Sequence, residues 1–170
     1  MRPFARFLSA VFVASVVLFE TACGPSVPPL SSLQPSPEAV ATEVLQALEQ
    51  RNEPRLRELA LTEQEFRDHV WPELPAARPE RNLPFSYVWG DLKQKSDASL
   101  ASTLANYGGK HLVLKTVRLQ GEKTTYQGFV VERRSELTVV DASGKELTVR
   151  LFGSLIHKDG GYKVFSFVVD

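Results

Sequence analysis

The chain has 170 residues, 20 basic and 20 acidic side chains, a formal net charge of zero, 43% hydrophobic and 24% charged content. These are ordinary values for one globular domain with its own core, and the even charge excludes the basic field that a nucleic-acid binder needs. The single cysteine is Cys23, so the domain after it has no disulfide, no thiol nucleophile and no Cys-based metal site.

Residues 1–22 read as a signal peptide. MRPFAR supplies two positive charges, and FLSAVFVASVVLF (7–19) is an apolar run of 13 residues. A membrane-spanning helix needs about 20 apolar residues, so the run is short for an anchor and suited to a signal-peptide core. Without residues 1–22 the net charge becomes −1. The next residues are Glu20-Thr21-Ala22-Cys23-Gly24. Small residues before Cys23 and a glycine after it resemble the lipobox of bacterial lipoproteins. That resemblance implies cleavage before Cys23 and acylation of its sulfur with palmitate-type chains. It also implies a bacterial cell-envelope location, lipid-anchored, with the domain facing the periplasm or the exterior. Gly24, in place of Asp, implies an outer membrane where the cell has two. Glu20 departs from the pattern, which places an aliphatic residue there. Ordinary secretion and a retained anchor stay open beside lipidation. Two acyl chains give the double anchor that stable attachment requires.

Residues 23–36 read as the lipid-bearing cysteine and a tether. The stretch 24–37 holds five prolines and four serines and shows no apolar periodicity, the composition of an extended spacer. A single domain is expected over 37–170. Ser36-Pro37 is a helix start, and Val40, Val44, Leu45 and Leu48 recur at helical spacing, predicting a helix over 37–51. Pro54 opens a second short piece with Leu56 and Leu59 inward. Thr62 and Glu65 form a capping box for a third, over 63–70, that buries Phe66 and Val70. PELPAARPERNLP (72–84), with four prolines, is expected to be a long ordered loop. A long helix follows over 85–107, stopped by Gly108-Gly109.

Beyond Gly109 the apolar period changes from 3.6 to 2. Strands are expected at 111–119, at 124–134 and 135–140 (two, or one long bent one), at 146–157 and at 162–169. Gly128 and Gly153 inside strands mark bulges or bends. The last strand is apolar on both faces, as expected of a strand buried on both sides or serving an interface.

The expected fold is therefore α+β, with N-terminal helices packed on a curved, cone-like antiparallel sheet of about four to five strands. This order over 37–169 resembles the nuclear-transport-factor-2-like domain. The resemblance implies a pocket inside the cone and, in many members, a homodimer through the outer sheet face. Its members include isomerases, dehydratases, hydrolases and binding modules, so it carries no single activity. The proline loop stands where that family often has a short strand. Cystatin-like and lipid-chaperone-like domains are alternatives.

The densest chemistry-capable stretch is 65–91. Trp71, Trp89, Phe85, Arg78 and Arg81 are candidates for a ligand pocket. His69, Asp91 and Tyr87 are candidates for catalysis, the first two as an acid–base pair and Tyr87 as an oxyanion donor. The alternative is that the two tryptophans are simply core and the two arginines solvated. His69, His111 and His157 show no metal-ligand spacing, and no phosphate loop, dinucleotide fingerprint or nucleophile elbow is present. Neither metal nor cofactor is expected. The expected role is a non-enzymatic accessory domain at an envelope membrane that binds a small apolar ligand or another envelope protein. A small-molecule isomerase or dehydratase is the alternative.

Overall fold

Ser36 starts the first helix as its cap, accepting the Ala39 N–H at 3.2 Å, and Pro37 occupies the first turn. In the computed structural model, which describes residues 27–169, this helix is α1 (Pro37–Glu49). Asn52 caps α2 (Glu53–Glu58). Thr62 and Glu65 form the expected capping box of α3 (Glu63–Glu65), which runs on as a π-helical turn, Phe66–Val70. The signal peptide, Cys23 and the first residues of the tether lie outside the described residues.

The proline loop is ordered, as three 3₁₀ turns at Trp71–Glu73, Pro75–Ala77 and Pro79–Arg81. Glu73 fixes it to the sheet. Its carboxylate accepts the backbone N–H groups of Gln127, at 2.5 Å, and Gly128, at 2.9 Å. Helix α4 spans Phe85–Tyr107 and ends at Gly108.

Seven strands follow: β1 (Leu112–Leu119), β2 (Lys123–Thr125), β3 (Val130–Arg133), β4 (Ser135–Asp141), β5 (Glu146–Val149), β6 (Ser154–Lys158) and β7 (Gly161–Ser166). They form two antiparallel sheets, ordered β1-β4-β5 and β2-β3-β6-β7. The pairings run on from one sheet into the other. Leu119 faces Ser135 and Lys123 faces Glu132, with Gln120 and Gly121 donating to Arg134 and Arg133 in the gap. Leu137 faces Val149 while Arg133 faces Ser154. The meander expected from sequence is therefore present, but each of its first three strands is cut at one bend line. That line runs through Gly121, Arg134 and Gly153. Arg134 has the positive φ of 54°, and a Cβ on Gly153 would lie 1.6 Å from the Val168 carbonyl oxygen.

Two sequence expectations need correction here. The stretch 124–134 is a hairpin, not one strand, because Gln127-Gly128 is its turn and Tyr126 N–H closes on the Phe129 carbonyl at 2.9 Å. The spacer also ends before Ser36. Leu30 is buried, Gln34 makes a β-bridge to Tyr162, and Ser31 bonds to Glu65, so residues 28–34 are part of the fold.

The core has two parts. One joins α1 (Val40, Val44, Leu48) and Leu100 of α4 to Leu137, Leu155 and Val164. The other gathers Leu30, Phe66, Val70 and Trp89 over Val131 and Ile156. Strand β7 serves both: Val164 turns to the first, and Phe165 packs against the second. Its two apolar faces are therefore covered within this chain.

Candidate functional site

Helix α4 crosses from one core to the other. It buries Trp89 at one end and Leu100, then Thr103, at the other. Between Trp89 and Leu100, a rise of about 16 Å, no residue is fully buried. The intervening sequence is GDLKQKSDAS, whose only large apolar side chain is Leu92. The inward stripe 89, 92, 96, 100 has a serine at 96, too small to fill the space beneath the helix. Ser96 Oγ accepts the Phe167 N–H at 3.0 Å.

Two clefts open along this stretch. The first, ≈ 260 Å³, is walled by Leu61, Trp89, Leu92, Leu100, Phe165 and Phe167. Its mouth is spanned by an ion-pair chain in which Asp97 meets Arg57 at 2.5 Å and Lys93 at 2.6 Å. Burial pushes the Asp97 carboxyl up, but hydrogen bonds from Lys93 and Arg57 outweigh it and hold it below its ordinary range. The second cleft, ≈ 390 Å³, lies between α4, the proline segment and the sheet, with Phe66, Leu74, Val88, Tyr126 and Val131 in its walls. Leu92, Phe165 and Ser166 line both, so the clefts meet on the seam between the two cores. These volumes bracket the lower end of the range for small-molecule sites.

The sequence candidates divide. Trp89 is at once core and wall of the first cleft, centred 5.2 Å from the Phe66 ring. Phe85 is half-buried, packed edge-on with Trp71 at 5.6 Å and covered by the Arg67 guanidinium at 3.7 Å. Arg78 lines a shallow recess beside Tyr126, and Arg81 is exposed. The catalytic trio does not converge. His69 donates from Nε2 to the Pro28 carbonyl at 2.7 Å. Asp91 pairs with Lys95 at 2.7 Å and lines the second cleft. Tyr87 is 66% exposed and lines neither cleft. The expected His69–Asp91 pairing is thus replaced by two separate partnerships, one to the distant segment at Pro28 and one within α4.

A buried titratable pair that sequence reasoning missed lies nearby. Lys163, 1% exposed, reaches Glu65 at 2.8 and 2.9 Å and also donates to the carbonyl and hydroxyl of Ser31. Burial pushes Glu65 up, but the bonds from Lys163, Thr62 and Ser31 outweigh it and lower its pKa from 4.5 to about 2. Burial pushes Lys163 down, opposed by Glu65. All donors and acceptors here are satisfied from within the chain, which marks a structural clamp. The signal was available: Lys163 shares a strand face with Phe165, and Glu65 already stood out in the capping box.

Among the described residues no group of three His, Cys, Asp or Glu side chains is placed to hold a metal ion, and no helix is long and apolar enough to cross a membrane. Comparison with protein-family models, curated proteins and solved structures finds no match for this chain.

Proposed function

We propose that this chain is a non-enzymatic binding domain for a small apolar ligand, held at a bacterial envelope membrane by a lipid on Cys23. The observation that carries the binding reading is the gap under α4: ten residues of helix, between buried Trp89 and Leu100, bridged over two joined, aromatic-lined clefts. The short apolar run, the residues around Cys23 and the proline-rich stretch after it support the anchor. Helices followed by a bent antiparallel meander support the likeness to nuclear-transport-factor-2-like domains, whose sheet also encloses a pocket. An acid–base enzyme has no support from these residues, since His69 and Asp91 hold different partners and Tyr87 is exposed. A homodimer through the outer face of β1, β4 and β5 has little more, since Lys115–Glu146 and Gln120–Glu136 contacts lie across those strands.

The test is titration of the full chain with N-phenyl-1-naphthylamine, a neutral apolar fluorophore that brightens when it leaves water. Saturable brightening is expected, weakened at least about tenfold in Leu92→Trp, whose larger apolar side chain would occupy the space shared by both clefts, with the melting temperature as the check on folding. Equal binding by the two proteins, with unchanged melting temperature, would reject the site.

A further inference from the structure

The second cleft is not apolar throughout. Three polar residues lie in a row along its sheet side on neighbouring strands, from exposed Arg133 through Ser154 to buried Ser166. Arg133 of β3 pairs in register with Ser154 of β6, and Ser154 with Ser166 of β7. Cross-strand partners project to the same face, and all three line the cleft.

The cations around the clefts are mostly neutralised. Lys95 holds Asp91, Lys93 and Arg57 share Asp97, and Lys123 of the adjacent strand holds Glu132 at 3.1 Å. The Arg133 guanidinium has no ion-pair or hydrogen-bond partner among the described residues, and neither do the hydroxyls of Ser154 and Ser166. A guanidinium fork and two hydroxyls with free donors therefore stand beside an apolar wall of Phe66, Val88, Leu92 and Phe165. Asp91 is the one carboxylate lining this cleft, and Lys95 offsets it, so the lining charges sum to a single positive unit.

We propose that the second cleft takes an amphiphile by its anionic end: a carboxylate bound by Arg133 and the Ser154–Ser166 hydroxyls, with the alkyl tail running along the seam beneath α4. A guanidinium fork matches the two oxygens of a carboxylate. The shared lining of Leu92 and Phe165 gives the tail a continuous path into the first cleft. This deepens the apolar-ligand reading and rests on it.

The experiment displaces the naphthylamine fluorophore from the full chain with decanoate or with 1-decanol, which share a tail and differ in the head. Wild type, Arg133→Gln and Arg133→Lys are compared, with melting temperatures as the folding check. Decanoate is expected to displace the probe at roughly fivefold to tenfold lower concentration than decanol, the scale of one partly exposed charge-assisted contact. In Arg133→Gln that preference disappears while decanol is unchanged, and Arg133→Lys keeps part of it. High salt reduces the preference and not the decanol value. Equal displacement by both compounds in wild type would overturn the anionic site and leave the apolar cleft standing. Equal weakening of both compounds in Arg133→Gln would also overturn it, because Arg133 would then be structural. Failure of both compounds to displace the probe would overturn the anionic site and the apolar-ligand reading together.

Discussion

Glu65 does two things at once. Its carboxylate accepts the Thr62 N–H at 2.9 Å, closing the capping box, and it receives the Lys163 ammonium and the Ser31 N–H in the same site. One side chain thereby ties the α3 turn, strand β7 and the segment 28–34 together. Because its folded pKa lies below the unfolded value, the stability it contributes is present above pH 4.5 and is lost as pH falls through about 2. The shift corresponds to about 3 kcal/mol at most. Thermal melting between pH 5 and 2 should show that loss in wild type and a much flatter profile in Glu65→Gln. Lys163→Met should cost about 3 kcal/mol at neutral pH, because it leaves a buried carboxylate uncompensated, and adding Glu65→Gln should recover a large part of it. A pair that melts independently of both substitutions would mean that the clamp adds nothing.

At the scale of elements, α4 and the strands illustrate opposite balances. The bounds of α4 and its buried Trp89 and Leu100 were readable, because they keep the helical period and Gly108-Gly109 stops it, whereas buried Thr103 gave no apolar signal. What periodicity did not reveal is that the polar middle of the helix still lies over apolar sheet, since that depends on which strand residues sit opposite. The bends were half legible. Gly153 was expected to mark a bend and does. Gly128 was expected to mark one and makes a turn instead, with Glu73 occupying the space beside it. Arg134 gave no warning, because a left-handed arginine has no composition signal. Gly153→Ala should cost at least about 2 kcal/mol, since its methyl group would collide with backbone at Val168 rather than with a side chain that can turn aside. Urea unfolding checks this, and a change below experimental error would show that residues 167–169 are free to shift.

For the molecule as a whole, the order of elements was legible and the site was not. The helices, the switch of period after Gly109 and the turns at Ala142-Ser143-Gly144-Lys145 and Lys158-Asp159-Gly160-Gly161 are local signals, and they suffice for an α+β meander. The candidates in the dense stretch 65–91 are neighbours in sequence, whereas the clefts draw residues from many separate segments between Arg57 and Val168. Leu92, Phe165 and Ser166 carry no chemical signature of their own; only the fold brings them to one seam. Segment 28–34 escaped for a related reason, because a proline- and serine-rich stretch with two leucines reads as spacer until Leu30 and Ser31 find their sites in the domain.

The central claim is that the seam beneath α4 binds an apolar tail. A nitrogen–proton correlation spectrum of the full chain, titrated with 1-decanol, tests it directly. The account predicts saturable, concerted shifts of the Trp89 indole and of the Leu92, Ser96, Phe165 and Ser166 amides, with Val113 and Thr116 on the far sheet unmoved. Shifts that never saturate, or that gather at exposed Val113 and leave the seam unchanged, would contradict it.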